Sequence, residues 1–208
     1  IRDLEYLNYE NLFADESTPI DYTISPDLIA SSYIKKLIKY QGTKQVFNFS
    51  SDEDCFINIT FQENNNSENT IKFYQQSCEK FNSKICAFVR NDKLYSIEDG
   101  DIIENGDELL FICKEDNIED ITKLFGHNKN NKRVMIAGGG NIGKHLSENI
   151  RENYQVKVIE SNEERAYYLS EIIDNVNIIN ADSSNEDILL EENIEHMDVF
   201  CALTNDDE

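Results

Sequence analysis

The sequence predicts an α/β chain: a Rossmann-like parallel sheet, truncated after strand four, preceded by a small α+β domain. Three observations carry this. From residue 132 onward, apolar runs alternate strictly with stretches of helical spacing. A β-α-β order implies parallel pairing, because each crossover is made by a helix. VMIAGGGNIG sets Gly138, Gly140 and Gly143 as G-x-G-x-x-G between such a strand and such a helix, the context in which the motif reads as a dinucleotide fingerprint. Residues 44–113 alternate instead at period two, with turn dipeptides between the runs, as half-buried strands do.

In chain order, residues 1–24 are polar and tyrosine-rich without a clear period. Ser25 suits an N-cap and Pro26 the first helical position, where a missing N–H costs nothing and φ is preset. Ile29, Tyr33, Leu37 and Tyr40 share one face of this helix, and Gly42 can stop it. QVFNFS and CFINITF are strands, ENNNSEN is a loop, and residues 71–82 are weakly helical. KICAFVR and KLYSI flank a turn at Asn91-Asp92. Asn105-Gly106 separates two more apolar runs, and Asn-Gly predicts a hairpin because both residues accept positive φ. Residues 115–125 form a short helix-like tail, and the polar linker GHNKNNKR, residues 126–133, marks the domain boundary. Beyond it, strands are expected at Arg133–Ala137, Gln155–Glu160, Val176–Asn180 and Val199–Leu203, with helices near 141–153, 162–173 and 185–193. A complete doubly wound domain has about six strands, so the fourth is expected to remain an open edge.

Composition narrows the function. The chain is 39% hydrophobic with only two prolines and eight glycines, which argues against a disordered or fibrous chain. No apolar run reaches the length of a membrane span, and no basic-then-apolar leader opens the sequence. Ile1 suggests a piece processed or excised from a longer chain. The net charge is −22, with −11 in residues 1–131 and −11 in residues 132–208. Nucleic acid is therefore not an expected partner, since phosphate backbones need clustered Lys and Arg. The excess reads as a solvated acidic surface, with a basic partner as the sharper alternative. Cys86, Cys113 and Cys201 sit in apolar runs and read as reduced core residues of a cytosolic protein. His127, His145 and His196 are isolated, so neither a zinc site nor a hydrolytic triad is supported.

The glycine loop carries the chemistry. Gly138 permits the tight turn, Gly140 lets backbone approach a pyrophosphate, and Gly143 lets the helix pack close to the strand. Asn141 and Ile142 add main-chain donors at the helix N-terminus, which favours an anion by about 0.3–1 kcal/mol when exposed. Glu160 lies 22 positions after Gly138 and ends the second strand. A carboxylate there can accept both ribose hydroxyls of an adenosine and would repel a 2′-phosphate, favouring NAD(H) over NADP(H). Arg165, five residues on, keeps the opposite preference open. Asp182 can accept from an adenine amino group, with Ser183 beside it; alternatively Asp182 or Ser184 only caps the next helix. Thr204 and Asn205 fall at the carboxyl edge of the sheet, where ligands bind in such folds. Asp206, Asp207 and Glu208 read as a frayed acidic end, with attraction of a cation as the sharper alternative. No catalytic set and no metal ligands accompany these residues. An NAD-dependent dehydrogenase and an S-adenosylmethionine-dependent methyltransferase remain as rival readings, since both use a glycine loop and an acid after strand two.

VMIAGGGNIG, VKVIES, ADSS and DILLEENIEHMDVFCALTNDDE, with IDYTISPD and IENGDELLFI before them, closely resemble the TrkA family. Its members carry regulator-of-potassium-conductance domains and serve as NAD-binding peripheral components of Trk potassium-uptake systems. The resemblance covers nearly the whole chain. It implies the tail of a preceding nucleotide-binding repeat and a connecting helix in residues 1–42. A TrkA-C-like domain would occupy 43–125, and the N-terminal part of a Rossmann-like NAD-binding domain 132–208. It implies a nucleotide site of Gly138, Gly140, Asn141, Ile142, Gly143, Glu160, Ser161, Arg165, Asp182, Ser183, Thr204 and Asn205. It also implies NAD(H) or ATP/ADP as ligand and self-association as a homo-oligomer. The partner would be an integral-membrane potassium-transporting subunit of Trk type, met on the cytoplasmic, inner face of the plasma membrane. Such a protein regulates flux and catalyses nothing. One departure is Asn180-Ala181-Asp182, where the family usually has a glycine-containing turn such as G-D-A.

Overall fold

The computed structural model describes residues 24–49, 54–62, 69–127 and 132–204. The expected polar stretch 1–24 and the loop ENNNSEN fall almost wholly outside these residues. The chain divides into two units, one over Lys36–Asn130 and the other over Asn131–Glu208 with the residues up to Lys35. Helix α1, Pro26–Lys39, begins where the sequence predicts. Its cap is made by backbone alone: the Ser25 carbonyl accepts the Ile29 N–H at 3.1 Å, while the buried Ser25 hydroxyl has no partner.

The Lys36–Asn130 unit is an antiparallel sheet. Strands β1 (Thr43–Asn48), β2 (Asp54–Thr60), β3 (Lys84–Arg90), β4 (Lys93–Ser96) and β5 (Glu108–Lys114) stand in the order β1-β2-β5-β3-β4. Period-two alternation sends Cys55, Ile57, Ile59, Leu109, Phe111 and Cys113 to one buried face. Helix α2 (Ile71–Glu79) and helix α3 (Ile118–Leu124) contribute to the same core. An aromatic cluster fills it: Phe111 meets Phe125 at 5.2 Å between centroids and Phe61 meets Tyr74 at 5.6 Å, both edge-on, an arrangement favoured by ring quadrupoles. Glu115 ties the end of α1 to this unit, accepting from Lys36 Nζ at 3.2 Å, from Tyr40 Oη at 3.3 Å and from Asn48.

Two expectations fail here for identifiable reasons. Asn91-Asp92 does form a hairpin turn, both residues at positive φ. Asn105-Gly106 does not. Only Gly106 has positive φ, +92°, and the Asp107 N–H closes on the Glu104 carbonyl at 3.0 Å. That is a type II turn, whose twist does not suit a two-residue hairpin. The preceding run bridges Thr70 through Ile102, and β5 pairs with β2 and β3. Asp107 is spent locally, gripping Arg90 through two bonds of 2.8 and 2.6 Å. Cys86 is exposed and not in the core. The β3–β5 register slips between Ile85 and Ala87, so Cys86 is the extra residue of a bulge and turns outward. Cys55, Cys78 and Cys113 are buried, and burial pushes the Cys78 thiol up to about 12, so it stays protonated.

The second unit is the expected parallel sheet, in the order β8-β7-β6-β9. Its strands are β6 (Arg133–Ala137), β7 (Gln155–Glu160), β8 (Val176–Asn180) and β9 (Val199–Ala202), the last one residue shorter than predicted. Helices α4 (Asn141–Ile150), α5 (Glu163–Ile172) and α6 (Glu186–Glu191) follow β6, β7 and β8. Val134, Met135 and Ile136 are fully buried, as suits the strand between two neighbours, while Phe200 on β9 stays 43% exposed.

Asp198, just before β9, accepts the Lys132 and Arg133 N–H groups, each at 2.9 Å, and meets the Arg133 guanidinium at 3.3 Å. The two backbone bonds, then the guanidinium, bring its carboxyl down to about 2. An unfolded aspartate titrates near about 3.9. Because the folded value is the lower one, this support is complete above about pH 4 and disappears as pH falls through about 2. Thermal unfolding across that window should fall more steeply for the wild type than for Asp198→Asn, which has no such carboxylate to protonate.

Candidate functional site

The carboxyl ends of β6, β7, β8 and β9 surround a cavity of about 530 Å³. Its floor is the turn that leaves β6. Gly138 sits at φ +105°, and a Cβ there would stand 2.7 Å from the Leu203 carbonyl oxygen; only glycine allows both. The Gly138 N–H reaches the Ile159 carbonyl at 2.8 Å and so holds the turn against β7. Gly143, one turn into α4, would place a Cβ 2.0 Å from the Gly138 carbonyl oxygen. The two glycines are therefore required by each other. Gly140 differs, since a Cβ there would meet nothing within 4 Å. Nothing among the described residues demands glycine at that position; its missing side chain leaves cavity space open.

Around this floor stand Glu160 and Ser161 from the end of β7, Asp182, Ser183 and Ser184 after β8, and Thr204 after β9. Glu160 Oε2 accepts the Gly139 N–H at 2.7 Å and Oε1 accepts the Asn162 N–H at 2.8 Å. Each carboxylate oxygen keeps a lone pair for a ligand hydroxyl. Asp182 Oδ1 accepts the Ser184 N–H at 2.9 Å and the Ser184 hydroxyl at 2.8 Å. Those bonds hold its carboxyl below the usual aspartate range, leaving an ionised acceptor at the cavity wall. Among the described residues, the lining holds no Lys, Arg or His.

Of the predicted residues, Gly138, Gly140, Glu160, Ser161, Asp182, Ser183 and Thr204 line the cavity. Asn141, Ile142, Gly143 and Arg165 do not. Asn141 turns its side-chain amide to Asp27 at 3.1 Å. Arg165 turns inward and donates from Nε to the Gly139 carbonyl at 2.9 Å, so it is not presented to a 2′-phosphate. Asn205, and Asp206 to Glu208 after it, lie outside the described residues. The helix after Asp182 is capped by neither Asp182 nor Ser184: Asn185 is the N-cap and accepts the Asp187 N–H at 3.0 Å. Sequence reasoning missed Ile159, Ser184 and Leu203, each a direct neighbour of a residue it named. It also missed Asn180, which donates to the Glu160 and Ser161 carbonyls at 2.9 and 3.2 Å. That amide ties the ends of β7 and β8 together at the turn that lacks a glycine.

A second cavity of about 550 Å³ lies between α5 and β8 and includes neither glycine backbone nor a helix start of α4. Among the described residues, no group of three or more His, Cys, Asp or Glu side chains is placed to hold a metal ion. Among the same residues, no helix is long and apolar enough to cross a membrane.

Comparison with known proteins agrees with this architecture. The TrkA-N domain family matches residues 134–208 and the TrkA-C domain family residues 78–126. The Trk system potassium uptake protein TrkA of Vibrio alginolyticus is 34% identical over 211 residues, covering 100% of this chain and 46% of its own length. That of Haemophilus influenzae is 33% identical over 211 residues, with the same coverage. The chain thus spans about half the length of the curated relatives it matches. Among solved structures, the crystal structure of the GsuK RCK domain superposes with a TM-score of 0.55 at 14% identity, over 89% of this chain and 40% of that one. The GsuK channel bound to NAD gives 0.55 at 14%, over 88% and 33%. At that identity the two structures establish a shared fold.

Proposed function

This chain belongs to the TrkA family, and from that premise we propose that it is a nucleotide-binding regulatory part of a potassium-uptake system, not an enzyme. Its ligand is NAD(H), with ADP or ATP as competing adenine nucleotides. The observation that carries this reading is the cavity of about 530 Å³ lined by Gly138, Gly140 and Glu160, in which a Cβ on Gly140 would meet nothing within 4 Å. The lining supports binding in place of turnover, since its polar side chains are two carboxylates and four hydroxyls. Among the described residues, the lining sets no His, Lys or Tyr beside them. Glu160 and Asp182 also disfavour the additional charge of NADP(H) by like-charge repulsion.

The ligand acts by differential affinity. A nucleotide that fits one arrangement of paired domains better than another shifts the population towards it. That shift would bias a Trk-type integral-membrane potassium-transporting subunit, with this protein held as a homo-oligomer on its cytoplasmic face. The relatives are named as parts of Trk potassium uptake, which supports this partner.

Thermal unfolding with NADH tests the site. At about 100 times its dissociation constant the ligand should add about 2.7 kcal/mol. Glu160→Ala removes charge-assisted bonds worth about 1.5–3 kcal/mol, so its NADH affinity should fall at least tenfold. An unchanged shift in that variant would reject the sugar contact. A larger shift with S-adenosylmethionine than with NADH would favour a methyltransferase, and NADH consumption with any metabolite would favour a dehydrogenase.

A further inference from the structure

We infer that Arg165 is a positioning residue: it holds the Gly139–Gly140 peptide so that the Gly140 N–H faces the cavity, ready for a diphosphate. This rests on the nucleotide reading above and adds a residue outside the cavity lining to it. Both backbone polar groups of Gly139 are taken by side chains that follow β6 in the chain. Its N–H donates to Glu160 Oε2 at 2.7 Å, and its carbonyl accepts from Arg165 Nε at 2.9 Å. The described chain has no cis peptide. Across a trans peptide the carbonyl and the following N–H point in opposite directions. Drawing the Gly139 carbonyl towards Arg165 therefore turns the Gly140 N–H away from it. Gly140 lines the cavity, and its N–H finds no acceptor among the described residues.

Arg165 is built for this inward task. Its own N–H is held by the Asn162 cap of α5 at 2.8 Å. Its guanidinium lies against the Tyr168 ring, 5.5 Å from the centroid. Its Nη2 is buried without a hydrogen-bond partner. A guanidinium meant to read a ligand phosphate would present that edge to the cavity. Here it is spent behind the loop, and its effect reaches a ligand only through the orientation of one peptide. The contribution should accordingly depend on the diphosphate and not on the base.

Binding of ADP-ribose and of adenosine to the 208-residue chain separates these roles. Arg165→Gln should weaken ADP-ribose about tenfold or more, the scale of one lost charge-assisted bond, and leave adenosine within about twofold. Arg165→Lys, which can still donate to the Gly139 carbonyl, should recover part of the loss. If the glutamine variant does not fold, the lysine variant is read for the same split. Parallel loss of both ligands would overturn the inference, because a damaged fold affects them alike. A greater loss of NADPH than of NADH would overturn it too, by showing direct contact with a 2′-phosphate. Failure of the wild-type chain to bind either probe would overturn the nucleotide reading itself.

Discussion

Gly143→Ala should lower stability by about 3 kcal/mol and abolish NADH binding, although alanine is the better helix former. Two effects of opposite sign compete at this position. Propensity favours alanine over glycine inside a helix by about 1 kcal/mol. Against it stands a Cβ placed 2.0 Å from the Gly138 carbonyl oxygen and 3.1 Å from its carbonyl carbon. Both atoms are backbone, and the turn that carries them is tied to β7 through Gly138 N–H and Gly139 N–H. No flexible side chain can give way, so α4 must move off the loop. The clash wins, and the shift displaces the Gly140 cap of α4, which lines the cavity. Gly140→Ala is the matched control. Its Cβ meets nothing within 4 Å and its φ is −60°, so the variant should unfold like the wild type. The added methyl stands in the space a diphosphate would take, so NADH affinity should still fall at least tenfold. Thermal unfolding with and without NADH reads both variants. Equal stability of Gly143→Ala and wild type would refute the packing argument.

Phe111→Ala should cost about 3–5 kcal/mol, the range for removing a buried phenylalanine. The ring is fully buried and edge-on to Phe125 at 5.2 Å. Its strand neighbours are Ile57 on β2 and Ile85 on β3, themselves fully buried. With packed neighbours on both sides, the site cannot collapse cheaply, and the cavity term adds to the lost transfer energy. Domains of this size are stable by about 5–15 kcal/mol in total, so the small unit should be close to unfolded at physiological temperature. Hydrogen exchange is the direct measurement: amides of β2 and β5 should lose most of their protection. Phe111→Leu, which keeps most of the volume, should cost less than about 1.5 kcal/mol. Retained protection in the alanine variant would mean that the core is centred elsewhere.

Much of the site could be read from residues adjacent in the chain. The roles of Gly138 and Gly143 follow from a strand, a turn and a helix in succession, all within ten residues. Glu160 follows from the end of the next strand. The readings that failed depend on partners far away in sequence. Arg165 turns to Gly139, 26 residues before it, and Asn180 to Glu160, 20 residues before it. Cys86 sits in an apolar run, and only the slip of its strand against β5 shows that it faces solvent. Asn105-Gly106 has the composition of a hairpin turn, but β5 finds longer partners in β2 and β3.

By itself, the order of apolar periods determined the two architectures, because side chains alternate along a strand and recur along a helix whatever the neighbours are. The glycine spacing likewise determined where a phosphate-sized space would open. Only the tertiary structure decided how the polar groups at that space are shared out. Glu160 already accepts the Gly139 N–H, and Arg165 is drawn behind the loop. A hydrogen bond of this kind needs two groups within about 3 Å, and that proximity arises from packing between segments that no local pattern records.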